Sequence, residues 1–296
     1  MKWWRRFLVH GVFWRQFLHW AVVNVPIWLE PMIIAWWSMF FLLWGPGRRG
    51  VMRNLAAIKP RSSPVANFFR VYRVFWNYAW TITDNVRHRE QGMLPDWEFE
   101  GSEHFEELQS RDGGSIILTA HMGSYDLGAQ LFAEFSTRKI VMVRAPETDP
   151  DTRRYEEAHL DDRVRIGFNT ASSDLALDLL GAIQAGEVIA IQGDRVTPGI
   201  AAVETALFGK RTLIPAGPFA LAMAARAPIY PLFVIRLGRR RYKLLANAPI
   251  TVTRTSRDRD ADIRRGVEQW SRALETAIAA AWFQWFAFEP YFEEAA

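Results

Sequence analysis

Residues 115–128 read SIILTAHMGSYDLG. The first five form an apolar run of strand length, and the small and polar residues after His121 suit a turn that opens a helix. His121 follows the strand directly, and Asp126 stands five positions further on. If the strand lies in a parallel sheet, His121 sits at the mouth of a crevice, because ligands bind such sheets beyond the carboxyl ends of the strands. The turn MGSYD, with Ser124 or Asp126 near the helix N-terminus, is expected to bring the Asp126 carboxylate back to the imidazole. A carboxylate on one ring nitrogen fixes the tautomer and leaves the other nitrogen as a base. The plain alternative is that Asp126 caps the helix and His121 is a satisfied strand-end residue. Spacing alone does not choose between them. Among six histidines and 32 acidic residues, a single pair at this spacing is what chance supplies.

The surrounding chain settles the fold class. Strand-like runs at 97–100, 115–119, 139–144, 164–168, 188–192, 205–208, 229–235 and 242–246 alternate with helical stretches near 103–111, 124–136, 151–160, 172–185 and 215–226. This alternation predicts an α/β fold with a central, mostly parallel mixed sheet flanked by helices. Gly193, Asp194 and Arg195 follow the run EVIAIQ as His121 follows SIILT. Parallel strands therefore put both groups on one edge of the sheet. Arg144 ends another strand, so Arg144, Asp194 and Arg195 are candidates to line the crevice with His121, although surface ion pairing is the commoner fate of such residues.

The chain has 296 residues, half of them hydrophobic, and no cysteine. Disulfides, thiolate metal sites and a cysteine nucleophile are thereby excluded, and six scattered histidines do not suggest a metal cluster. The formal net charge of +4 suits an anionic lipid surface or an acidic carrier, and no module with base-reading helices is recognisable. Eight of the 14 tryptophans fall in the first 44 residues, interleaved with Lys2, Arg5, Arg6 and Arg15. Tryptophan favours the headgroup region of a bilayer. The apolar run at 32–44 is shorter than the ~20 residues a spanning helix needs, and Asn24, Pro26, Glu30 and Pro31 interrupt its backward extension. We therefore expect an N-terminal hydrophobic helix that associates with the membrane by lying on it or dipping into it. A buried helix pair and a true span are the alternatives. Residues 65–87 carry an amphipathic stripe of Phe68, Tyr72, Phe75 and Tyr78. The expected organisation is a membrane-associating segment at 1–60 and a catalytic domain at 61–296.

Several blocks together resemble the lysophospholipid acyltransferase superfamily, and within it the bacterial late lipid A acyltransferases. They are ILTAHMGSYDLGA, MVRAP, IAIQGDRVTPG with ETALFGKRTLIPAGPFALA, and APIYPLFVIR. AAAWFQWFAFEPYF is similar to the aromatic helix that ends these proteins. The acid of the first block is Asp126 rather than the glutamate more usual in lipid A enzymes, and an Arg-Asn pair often found upstream of the third block has no clear counterpart. The resemblance implies acyl transfer from acyl carrier protein or acyl-CoA to a hydroxyl of a glycolipid like a lipid A precursor, with no cofactor and no metal. His121 is then the general base and Asp126 its orienting acid. Arg144, Asp194, Arg195, Gly123, Ser124 and Glu204 are implied as substrate contacts, with backbone N–H groups near Gly123 or Arg195 as oxyanion donors. Trp282, Phe283, Trp285 and Phe286 either frame the approach from the bilayer or, more commonly for such residues, pack in the core. Arg239, Arg240 and Arg241 either attract an acidic carrier or, the plainer reading, form a solvated turn between two strands. The implied location is the inner membrane, with the catalytic domain facing the cytoplasm. Another acceptor (a phosphatidylinositol mannoside, an aminolipid or a polyene lipid), thioester hydrolysis and non-catalytic lipid binding are the readings left open.

Overall fold

The computed structural model describes residues 12–45, 47–92, 95–128, 132, 136–146, 162–169, 173–197, 199–255 and 257–292. Four helices come first: α1 (Val12–Asn24), α2 (Glu30–Trp44), α3 (Arg48–Ile58) and α4 (Pro64–Gln91). The α/β part follows as β1 (Asp96–Glu100), α5 (Ser102–Ser110), β2 (Ser115–Thr119), β3 (Ile140–Arg144), β4 (Val164–Phe168), α6 (Ser173–Gln184) and β5 (Val188–Gln192). It continues through β6 (Ala202–Leu207), β7 (Lys210–Pro215), α7 (Gly217–Ala225), β8 (Ile229–Gly238), β9 (Arg241–Ala246) and α8 (Arg259–Ala281). The anticipated helix at 151–160 lies outside the described residues, and the one at 124–136 is described as helical at 125–128 and 132.

Seven strands form one sheet in the order β1-β9-β8-β2-β5-β3-β4. Every neighbouring pair is parallel except the hairpin β8–β9. The expected mostly parallel mixed sheet is thus present. The run at 205–208 is part of a longer strand, and it pairs not with the main sheet but with β7, a strand the sequence reading did not anticipate. Phe208 and Gly209 both take positive φ (52° and 69°), the backbone that a two-residue hairpin loop requires.

Two apolar layers cover the sheet. Ile116, Leu118, Ala120 and Met122 pack with Phe219 of α7 and with Trp270 and Leu274 of α8. Ile117, Ile140, Met142 and Val188 pack on the other side with Phe105, Leu127 and Phe132. This alternation along β2 follows from the two-residue repeat of a strand.

The N-terminal helices form a further layer. α4 starts at an N-cap, where Ser63 accepts from the Ala66 N–H at 3.2 Å, with Pro64 in the first turn. It ends at Gly92 in the left-handed region. In α2, Glu30, Ile34, Ser38 and Leu42 are buried, one face of a helix at four-residue steps. Among the described residues no helix is long and apolar enough to cross a membrane. Buried charges tie this layer to the sheet. Arg87 of α4 pairs with Glu30 of α2, and Asp84 accepts from Arg236 Nε of β8 at 2.6 Å and from the Tyr242 hydroxyl of β9 at 2.9 Å. Burial raises the Glu30 pKa, against the pull of Arg87.

The C-terminal aromatic stretch differs from expectation. It is helical only to Ala281, passes through a 3₁₀ turn at Trp282–Gln284, and then runs extended. The cause is a backbone pairing: Met122 and Trp285 form an antiparallel bridge, which a continuing helix would forbid.

Candidate active site

The register of β2 and β5 builds the centre of the site. Thr119 is paired with Gln192, and the Gly193 N–H donates to Thr119 O at 2.8 Å. Two residues further along each strand stand His121 and Asp194, on the same side by strand alternation. The His121 Nδ1 lies 2.7 Å from Asp194 Oδ1. Asp194 has no exposed surface, whereas the His121 side chain keeps 27%. Burial alone would raise the Asp194 pKa. The His121 imidazole, its hydrogen bonds and the nearby Arg195 outweigh that effect and hold the acid below its ordinary value. A carboxylate only accepts, so the bond is Nδ1–H donating to Asp194, and Nε2 is the ring nitrogen that this bond leaves unused.

Asp126 is not the partner of His121, which corrects the reading from the five-residue spacing. The chain turns helical at Tyr125, and Asp126 in that first turn accepts from Arg144 Nη2 at 2.6 Å. Arg144 comes from the end of β3, on the far side of β5 from His121. The helix therefore carries the Asp126 carboxylate away from the imidazole and across β5. Tyr125 stays against His121, with ring centroids 6.1 Å apart. The Asp126 charge, and burial after it, push the Tyr125 phenol well above its usual range, so it remains a neutral hydroxyl.

Beneath this edge lies an apolar cavity of about 250 Å³. Thr119, Tyr125, Gln192 and Arg144 stand at its upper end, and Ile117, Ala190 and Phe132 line it further along. Of the residues foreseen from sequence, Arg144 alone borders this space.

Gly123 and Ser124 turn the chain rather than face a substrate. Gly123 has φ +56°, and a Cβ there would fall 1.7 Å from Val234 O. Its N–H donates to Gln284 O, and the Ser124 N–H to Val234 O, both at 2.9 Å. The Gly123 amide is thus spent and does not serve as an oxyanion donor. Ser124 has no exposed surface, which removes it as a substrate contact. Glu204 is exposed on β6 and paired with Arg211 at 2.6 Å, and among the described residues no bond joins it to His121, Asp194 or Arg144. Arg195 does belong to the edge. Its guanidinium donates one bond to Phe286 O, and the residue is otherwise exposed.

Two indoles missed as site residues hold the turn that carries Asp194. Trp270 Nε1 donates to Gly193 O at 3.1 Å, and Trp285 Nε1 to Asp194 Oδ2 at 3.3 Å. Trp285 is 3% exposed, so of its two readings core packing holds and framing an approach does not.

With this geometry in place, comparison with known proteins supplies the family. The model of the bacterial lipid A biosynthesis acyltransferase family matches residues 4–294, so the chain belongs to that family and is an acyltransferase. No curated protein matches the chain in a direct comparison.

Proposed function

We propose that this member of the lipid A acyltransferase family moves a fatty acyl group from acyl carrier protein or acyl-CoA to a hydroxyl of a glycolipid resembling a lipid A precursor. His121 is the general base. Its Nε2 takes the proton of the acceptor hydroxyl, whose oxygen attacks the thioester carbonyl. The tetrahedral intermediate collapses by breaking the C–S bond, and the departing thiolate takes the proton from the imidazolium. The Asp194 carboxylate holds the ring and stabilises that imidazolium, the role first expected of Asp126. A thioester is already activated, so no covalent enzyme intermediate is required.

The rest of the edge has matching parts. The Asp126–Arg144 pair lies where a phosphate of donor or acceptor would rest, since a guanidinium fork suits such oxygens. Arg195 supplies N–H donors for the oxyanion. The apolar cavity takes the acyl chain, whose length suits a dry, narrow space. Trp28, Trp36 and Trp44 are 64–71% exposed on or beside α2, and they seat residues 1–60 on the inner membrane while residues 61–296 carry out catalysis on the cytoplasmic side. An exposed apolar patch of this kind is the mark of a membrane contact.

The observation that carries this reading is the 2.7 Å contact between His121 and a fully buried Asp194 at the sheet edge. Its test is the purified protein given an acyl thioester with and without glycolipid, products being weighed by mass spectrometry. A gain of one acyl group on the lipid, lost in His121→Ala, is expected. Free fatty acid as the main product with or without lipid would make the protein a hydrolase, and full transfer by His121→Ala would remove the base.

A further inference from the structure

The segment 284–291, which leaves the 3₁₀ turn at Gln284 and then runs extended, touches the proposed dyad on one side and α3 on the other. On the dyad side the Phe286 N–H donates to His121 O at 2.8 Å, Trp285 bridges Met122, Arg195 donates to Phe286 O, and the Trp285 indole donates to Asp194 Oδ2. On the α3 side one buried side chain makes three polar contacts with it. Asn54 Nδ2 donates to Ala287 O at 2.9 Å and to Glu289 O at 2.8 Å, and Asn54 Oδ1 accepts from the Tyr291 N–H at 2.9 Å. One turn earlier on α3, Gly50 lets the segment approach so closely that a Cβ would lie 2.1 Å from Phe288 O.

From these contacts we infer that segment 284–291 is a strap that sets the catalytic dyad, with Trp285 as a positioning residue for Asp194 and Asn54 as its fastening to the N-terminal helices. The physical reason lies in the two oxygens of Asp194. Oδ1 serves the imidazole, and a buried carboxylate whose second oxygen lacked a donor would be free to turn about its Cβ–Cγ bond and would bear an unsatisfied charge. The indole N–H pins Oδ2, so Oδ1 faces His121. Trp285 is itself held by Tyr291, whose ring meets it edge-on at 4.8 Å. Asn54, by gripping both sides of residue 288, fixes the strap against α3. A buried amide with every contact on the backbone of one segment has no packing role that a leucine would not fill as well.

This inference rests on the dyad reading, and the experiment separates the two. Trp285→Phe keeps the ring and loses only the donor. It is expected to lower kcat about ten-fold, the scale of one hydrogen bond to a charged group, with KM kept and the melting temperature lowered by a few degrees. In the double variant Asp194→Asn with Trp285→Phe, the second change is expected to have no further effect, because its target is already gone. Asn54→Ala is expected to lower kcat with KM kept. Wild-type kcat in Trp285→Phe, or losses that multiply in the double variant, overturns the strap even when Asp194→Asn alone is inactive. Asp194→Asn with full activity overturns the dyad itself. Full activity in Asn54→Ala overturns the fastening.

Discussion

At the scale of single residues, the two acids of the site divide the work. Asp194 is sealed, hydrogen-bonded and charged, while Asp126 is about a quarter exposed and tied to Arg144. Asp194→Asn is expected to reduce kcat by at least ~100-fold, the range of a general base deprived of its partner. Asp126→Asn should instead raise KM through a loosened Arg144 and leave kcat within about ten-fold. Steady-state kinetics on both variants distinguish these roles. Asp194 also makes a prediction for acid stability. Its folded pKa lies below the ordinary 3.8, so the unfolded chain takes up the proton first as the pH falls. The stabilisation is complete above about pH 4 and drains away as the pH drops toward the folded value. Urea melts between about pH 6 and pH 3 should show that acid-side slope, and Asp194→Asn should flatten it. The sequence displayed His121, Asp126 and Asp194 as candidates and placed His121 and Asp194 on one sheet edge. It misassigned the partner because five residues of local spacing are visible in a string, whereas a contact across 73 residues depends on the pairing of Thr119 with Gln192.

At the scale of elements, α2 is secured by a buried ion pair as well as by packing. Glu30 and Arg87 are 6% and 2% exposed as side chains. Glu30→Ala leaves the buried Arg87 guanidinium with Asp84 at 3.6 Å as its remaining acid, and a loss of stability toward the lower end of the about 3–5 kcal/mol for breaking a buried pair is expected, read by denaturant melts. Where the cavity is concerned, Ala190 is a small side chain on the lining of β5. Ala190→Leu is expected to shift the preferred donor to a shorter acyl chain with little loss of kcat on that chain, measured by competition among thioesters of different length. Full use of the longest chain by this variant would place the acyl group elsewhere. Most strands of the main sheet were legible as compact apolar runs, and β1 (DWEFE) as an alternation of aromatic and acidic residues. β7 was not, since KRTLIP alternates weakly and its partner β6 lies outside the main sheet. Nor was the extended course of residues 285–292, because their aromatic composition suits a helix face as well as a strap. Only the pairing with Met122 decides it.

For the molecule as a whole, the exposed aromatic side chains gather on α1, α2 and the start of α4, including Trp20, Trp28, Trp36, Trp44 and Phe69. Replacing Trp28, Trp36 and Trp44 together by serine is expected to weaken binding to anionic vesicles at least ~10-fold, since full burial of one large apolar side chain contributes about 1.5–3 kcal/mol. Co-sedimentation measures this, with activity on a detergent-dispersed acceptor expected to persist. The same layer meets the catalytic edge through residues from opposite ends of the chain, Asn54 and Tyr291. Translation therefore makes the histidine, both acids and the four N-terminal helices before it makes the piece that joins them. A nascent chain halted short of Trp285 holds every group that moves a proton, yet Asp194 still lacks its indole donor. The geometry of the dyad thus depends on an indole synthesised 91 residues after the acid that it holds.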